Sequence, residues 1–264
     1  MRRHRIHSSQ CYPPGRRGVI LLLTATVRPQ GVPGLTLLDA ELRLQQYRDS
    51  LRFWAGLRSS KFDRIILAEN SLSYEELSSL FSDFNDARIL LVSVGPPSAD
   101  AVSRGKGACE ADLIAKAMRS PELIELQGFV WKCTGRLRVT NFATTTCRLS
   151  QGRVMTYDIP RDQSNWADSR LFGAPVDVMT HFADLAVVSV NEEQGTDLES
   201  VLAKWAGIAG PGGTANLRCK PRFSGQSGTT GTLYAASRRD RWLRQPAEIA
   251  YRALVRTGIG RRLC

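Results

Sequence analysis

Two short stretches of the chain have the residue types and spacing to hold an anion. The first is Arg104-Gly105-Lys106-Gly107, a basic loop leading into a segment whose apolar spacing predicts a helix starting near Glu110. Glycines on either side of a lysine leave backbone N–H groups open and let a phosphate come close, with the positive end of a helix dipole behind them. The second is Lys132-Cys133-Thr134-Gly135-Arg136, at the end of the apolar run Phe129-Val130-Trp131. It adds two cations and a hydroxyl, so an anionic ligand between the two stretches is the natural expectation. Each piece alone has a plainer reading, since Gly-Lys-Gly also makes ordinary turns and Arg136 can be a solvated strand end.

A sheet must position these residues. Residues 18–27 read as a strand buried on both faces, 64–68 as a second and 88–94 as a third. Between them, a helix is expected from Asp39, as N-cap, to Leu57, with Leu42, Leu44, Tyr47, Leu51, Phe53 and Trp54 as its apolar face. Another is expected over 74–84, where Ser73-Tyr74-Glu75-Glu76 is an N-terminal signature. Strand–helix alternation at this pace predicts an α/β fold with a doubly wound, mostly parallel sheet. Ligands of such sheets bind beyond the carboxyl ends of the strands. That puts Thr24-Ala25-Thr26, Glu69-Asn70, the 104–110 loop and Lys132 to Arg136 on one rim. Loops of α/β proteins are always polar, but the excess of charge and hydroxyl groups here exceeds that background.

Beyond Asn141 the pattern loosens. A strand is expected over 153–159, then a polar trio, Asp168-Ser169-Arg170, bracketed by Trp166 and Phe172. A helix over 176–182, a strand over 185–190 and a helix over 198–206 follow. Arg222 to Gly231 reads as a Gly/Ser/Thr loop after a short basic strand, without the lysine and spacing of a P-loop, which argues against ATP hydrolysis. The chain therefore divides into a basic tail at 1–17, a domain at 18–237 and a basic amphipathic helix at 238–264. That last helix suits either a membrane surface or docking on the core.

The 264 residues suffice for one large domain with a real core, and the formal charge of +11 implies an anionic partner. Much of the excess lies at the two ends. The six cysteines lack metal-ligand spacing, and Cys109 and Cys133 read as reduced, buried small hydrophobes, which fits a reducing cytoplasm. The arginines before Val19-Ile20-Leu21-Leu22-Leu23 imitate a signal peptide, but a buried first strand fits better because no small-residue cleavage site follows. No apolar run approaches the roughly 20 residues that span a bilayer.

These motifs resemble the glycosyltransferases of bacterial capsule and surface-polysaccharide clusters, which have a GT-A-like, Rossmann-like nucleotide-sugar fold. The matching pieces are the L-L-T-A-T-V strand, Ala68-Glu69-Asn70, R-G-K-G-x-x-E-A-x-L-I at 104–114, W-K-C-T-G-R at 131–136, D-S-R-L-F at 168–172 and S-G-x-S-G-T-T-G at 224–231. The resemblance covers most of residues 18–235. It implies a nucleotide-sugar donor and a glycan or lipid-linked acceptor. Thr24, Glu69 and Asn70 would cradle the nucleotide, while Gly105, Lys106, Gly107, Lys132, Thr134, Gly135 and Arg136 would face its phosphates. Asp168 and Arg170 would face the acceptor or the leaving group.

One departure matters. Many GT-A enzymes hold a divalent metal on an Asp-x-Asp pair, and no such pair occurs in this chain. The expected position holds Lys132-x-Thr134-Gly135-Arg136, so fixed cations would stabilise the leaving phosphate without a metal. One aspartate carrying a single metal contact stays open. Asp168 is the expected proton acceptor and Glu110 the second choice. Asp168 beside Arg170 also reads as a structural ion pair, Glu110 as a helix-terminal acid, and His181 as a core residue more than a base. Two rival classes remain. A nucleic-acid binder would explain the charge, although the basic residues form no recognisable reading head. A scaffold at an anionic membrane surface would explain the C-terminal helix.

Overall fold

The computed structural model of the chain describes residues 18–29, 31, 34–57, 62–124, 126–146, 154–156, 166–208, 214–217 and 219–234. The expected basic tail at 1–17, the basic helix at 238–264 and most of the strand expected over 153–159 lie outside the described residues. The strands are β1 (Gly18–Ala25), β2 (Arg64–Glu69), β3 (Ile89–Ser93), β4 (Gly128–Thr134), β5 (Arg138–Val139), β6 (Val154–Thr156), β7 (Leu171–Pro175), β8 (Thr214–Asn216), β9 (Phe223–Gln226) and β10 (Leu233–Tyr234). The helices are α1 (Ala40–Ala55), α2 (Tyr74–Leu80), α3 (Ala99–Ser103), α4 (Lys106–Met118), α5 (Pro121–Ile124), α6 (Phe142–Thr145), α7 (Val176–Ser189) and α8 (Leu198–Ile208), with a 3₁₀ turn at Glu192–Gln194.

Seven strands make one sheet in the order β3-β2-β1-β4-β7-β6-β8. β1 runs parallel to β2 on one side and to β4 on the other, and β3 continues parallel to β2. β7 is antiparallel to both β4 and β6. β1 is almost continuously apolar because both of its faces are covered. Its side chains alternate as strand geometry demands. Ile20 and Leu22 join one core with α4, α7 and α8, and Leu21 and Leu23 join a second core with α1. The sheet is thus doubly wound, mixed in direction and mostly parallel.

Local chemistry explains the elements that carry the site. Asp39 accepts from Leu42 N and caps α1, and Ser73 with Glu76 forms a complete capping box on α2. α1 is stapled to the turn after β4, because Ser50 Oγ and Trp54 Nε1 both donate to the Leu137 carbonyl at 3.0 and 3.1 Å. A hairpin of β9 and β10 pairs through β9 with β5 and lies over the end of β4.

Three expectations are corrected. The helix expected from about Glu110 begins at Lys106, with Gly105 as its N-cap at φ +107°. Gly107, Ala108, Ala111 and Ala115 give that helix a smooth buried face, so it extends one turn earlier than its charged residues suggest. The strand expected over 185–190 is the second half of α7, whose buried Met179, Phe182, Ala183 and Ala186 follow a helical spacing. The β-branched run Val187-Val188 imitates a strand, but Val188 is exposed. The loop expected over 222–231 is shorter, because Phe223–Gln226 forms the strand β9, and Leu171–Pro175 forms the strand β7, which no sequence signal announced.

Candidate functional site

The strand order β3-β2-β1-β4 reverses between β1 and β4, and a crevice forms beyond the strand ends there. There the carboxyl ends of the first four parallel strands open into a cavity of about 690 Å³. Thr24 and Thr26 follow from β1, Asn70 and Ser71 from β2, Pro96 and Pro97 from β3, and Thr134 and Arg136 from β4. α4 adds Lys106, Gly107 and Glu110. The far wall comes from Trp166, Asp168, Ser169 and Arg170, from Glu192 and Glu199, and from the β9–β10 hairpin with Gln226 to Thr229 and Tyr234. Lys106 and Arg136 therefore face one cleft.

Two guanidiniums in the wall are buried without a counter-charge among the described residues. Arg136 is 7% exposed, and its Nη1 donates to the Gln226 carbonyl at 2.7 Å and to Gln46 Oε1 at 3.4 Å, while its Nε finds no acceptor among the described residues. Arg43, on α1, is 4% exposed and donates to the Thr26 and Leu37 carbonyls and to the Tyr47 hydroxyl at 2.6, 3.1 and 3.2 Å. Among the described residues neither has a carboxylate within ion-pair distance. A charge taken out of water this way is costly until an opposite charge joins it. An anion in the cavity would supply one.

Several expected residues sit elsewhere or do other work. Lys132 is fully buried and does not line the cavity. Its ammonium pairs with Glu110 Oε1, donates to the Ser169 carbonyl at 2.7 Å and packs on the Phe172 ring. The strand alternates faces, so Trp131 and Cys133 take the α1 side and Lys132 must point the other way, beneath α4. Thr24 Oγ1 donates to the same Glu110 oxygen at 3.2 Å. Glu69 is likewise buried outside the cavity, where it accepts from Val27 N, Ser71 N and Leu72 N at 2.9, 2.8 and 2.6 Å and organises the turns after β1 and β2. Asn70 remains in the wall, its Oδ1 accepting from Thr26 Oγ1 at 2.7 Å.

The glycines also differ from expectation. A Cβ on Gly105 or Gly107 would meet the Glu192 carboxylate at 2.4 or 3.0 Å. The space they open at the start of α4 is filled by that acid, which the positive helix end favours. Gly135 lies outside the cavity too. A Cβ there would stand 2.5 Å from the Thr24 carbonyl, which accepts from Gly135 N at 2.9 Å, so this glycine closes the seam between β1 and β4.

Asp168 is 2% exposed and bound by Arg170 at both oxygens, Nε to Oδ1 at 2.8 Å and Nη2 to Oδ2 at 2.7 Å, with Arg170 N at 3.1 Å. Burial works against the Arg170 charge, yet the Asp168 hydrogen bonds and charge outweigh it and leave the guanidinium above its ordinary pKa. Arg170 also lies over the rings of Phe223 and Tyr234, with centroids 4.3 and 5.1 Å away. His181 is exposed on α7 and stands outside the cavity wall. Cys109 and Cys133 are buried free thiols, and burial chiefly pushes them up, to about 11 and about 12.

The residue pattern does not single out Arg43, Glu192 or Glu199, and it marks 222–231 as a loop without placing its turn at 226–229 in the cavity wall. Arg43 had a signal: it precedes Tyr47 by four and Ser50, Leu51 and Trp54 follow on the same buried face, so an arginine stood inside the stripe that meets the core. Where a GT-A enzyme would hold a metal, the end of β4 has Thr134 and Arg136, and among the described residues no group of three metal-ligating side chains gathers. The hydroxyl and guanidinium at that strand end offer a divalent cation no anionic oxygen ligand. Nor is any helix among the described residues long and apolar enough to cross a membrane.

No family model and no curated protein matches the chain. Solved structures do. A 4-diphosphocytidyl-2C-methyl-D-erythritol synthase from Anaerococcus prevotii is 12% identical over 90% of this chain and 99% of its own, with a TM-score of 0.44. The galactosyltransferase LgtC, solved with donor and acceptor sugar analogues, is 10% identical over 75% of this chain and 72% of its own, with a TM-score of 0.45. A protein from Desulfovibrio desulfuricans assigned as a nucleotide-diphospho-sugar transferase is 9% identical over 76% and 80%, with a TM-score of 0.48. Likeness at that level assigns neither a substrate nor a residue.

Proposed function

We propose that the chain is a glycosyltransferase that moves a sugar from a nucleotide-sugar donor to a glycan or lipid-linked acceptor, without a metal, in surface-polysaccharide synthesis. The observation that carries this reading is the pair of buried guanidiniums, Arg43 and Arg136, which have no carboxylate partner among the described residues and face a crevice at the switch point of a doubly wound sheet. Lys106, hydrogen-bonded to Thr229 Oγ1 at 3.3 Å, adds a third cation at the rim. Together they suit a diphosphate, and Thr24, Thr26, Asn70 and Thr134 offer hydroxyl and amide groups to the nucleoside. In the transfer step an acceptor hydroxyl attacks the anomeric carbon, and the bond from that carbon to the phosphate oxygen breaks. The nucleotide leaves with the electron pair. Fixed cations that need not reorganise stabilise the charge that develops on it. The Asp168–Arg170 pair, gripped by Phe223 and Tyr234, would frame the acceptor side. A cytoplasmic enzyme held at the inner membrane face by its basic C-terminal segment would meet a lipid-linked acceptor there.

The test is a melting-temperature screen of UDP-, GDP- and CMP-sugars, run with a chelator, because a ligand that binds only the folded state raises the melting point. At least one donor should bind. Arg136→Met should then weaken it by about 10- to 100-fold, the scale of one or two charge-assisted hydrogen bonds. The same substitution should leave the ligand-free protein as stable or more so, since it removes an uncompensated buried charge. Donor affinity unchanged in Arg136→Met would refute the phosphate assignment.

A further inference from the structure

We infer that Glu199 is the group that takes the proton from the attacking hydroxyl, an inference that rests on the transferase reading above. Among the described residues four carboxylates line the cavity: Glu110, Asp168, Glu192 and Glu199. Three of them are committed. A proton on Asp168 would break its two-point pairing with Arg170. A proton on Glu110 would strand the fully buried Lys132 ammonium without its counter-charge. Glu192 is packed into the space that Gly105 and Gly107 leave at the start of α4, which fixes its carboxylate there.

Glu199 differs from all three. It is the second residue of α8, held by the Ser169 hydroxyl, which donates to its Oε1 at 2.6 Å, and among the described residues no cation pairs with it. Its own carbonyl accepts from Ala167 N at 3.2 Å, which fixes the start of α8 against the segment that carries Asp168. The charged groups around it are Glu110 from α4, Asp197 just before α8, the Asp168–Arg170 pair and Lys132 of β4, whose ammonium reaches the Ser169 carbonyl. Burial pushes the Glu199 carboxyl up, the Ser169 hydroxyl opposes this in part, and Glu110 and Asp197 add repulsion. A carboxylate with raised proton affinity and open access to the cavity suits a general base.

The step balances. The hydroxyl proton passes to Glu199, and the freed oxygen pair forms the new bond to the anomeric carbon. The bond from that carbon to the phosphate oxygen breaks, and its pair leaves with the nucleotide. Glu199 returns the proton to water once the products leave.

The experiment uses the full chain and the donor identified by the melting screen. Wild type, Glu199→Gln and Glu199→Asp are compared for donor affinity, turnover across pH, and melting temperature at about pH 5 and about pH 8. Glu199→Gln should bind donor within about twofold of wild type, lose about 10²-fold or more in turnover and lose the acid limb of the pH–rate profile. Glu199→Asp should recover part of the turnover. The melting arm has a definite sign. A carboxyl whose folded pKa is raised contributes stability at low pH that is lost as pH rises through that pKa. Glu199→Gln should therefore melt at or above wild type at the higher pH. Wild-type turnover in Glu199→Gln overturns the inference, and so does a lower melting point at both pH values, which would mark a structural role. A wild type that turns over no donor it binds would sink the transferase reading itself, whereas an active wild type with an equally active Glu199→Gln sinks only this assignment.

Discussion

Glu110 and Lys132 illustrate how burial sets the job of a charged side chain. The lysine is fully enclosed and the glutamate side chain is 28% exposed, so the two substitutions should differ in cost. Glu110→Gln leaves an ammonium buried without its partner and should destabilise the fold by about 3–5 kcal/mol. Lys132→Met leaves a carboxylate that still reaches the solvent of the cavity, so it should cost clearly less. Urea denaturation of the two single variants measures the difference, and equal losses would show that the pair is not the organising contact described above. The same reasoning separates Arg136 and Arg43 from the surface arginines. Arg28, half exposed and paired with Glu76, contributes little on either side of folding.

At the level of elements, the site depends on how closely β1 and β4 approach beyond their last paired residues, Thr24 and Thr134. Gly135 makes that approach work, since its missing side chain leaves room for the Thr24 carbonyl. Gly135→Ala should push the two strand ends apart, cost about 1–3 kcal/mol as an overpacked contact, and weaken donor binding together with stability. Melting temperature and donor affinity measured on the same preparation check it. An alanine variant with wild-type values for both would show that the seam tolerates a Cβ. The turn of the β9–β10 hairpin has a comparable role on the opposite wall. The Gly228 carbonyl accepts from Thr36 N and Leu37 N at 3.0 and 3.2 Å, which holds the turn over the Arg136 guanidinium.

For the molecule as a whole, the charge belongs to the ends. Residues 1–17 carry five arginines and no acid, and residues 238–264 carry eight arginines against two acids, while residues 18–237 balance 23 basic against 23 acidic side chains. Binding to duplex DNA or anionic vesicles should therefore depend on the two ends and fade steeply with salt. Removing both ends should abolish that binding, assayed by vesicle flotation and DNA retention, yet leave donor affinity unchanged. If the shortened chain still bound DNA at physiological salt, the nucleic-acid reading would return.

Residue order alone was enough to determine the parallel layering, because a strand covered on both faces must be apolar throughout, as in Gly18–Ala25, and helices between such strands must cross over. It also determined which strand ends share a rim, and Thr24, Asn70, Lys106, Thr134 and Arg136 do line one cavity. What only the tertiary structure decided was which charges are free. Lys132 and Arg136 are four residues apart and look alike in the sequence, but one meets Glu110 beneath α4 and the other, among the described residues, meets a carbonyl and an amide. Burial and partner choice come from contacts between distant segments, including α1, α8 and the hairpin, which no local spacing encodes. The same cause hid Arg43 and Glu199, whose neighbours in the chain announce a helix and nothing of the cavity it borders.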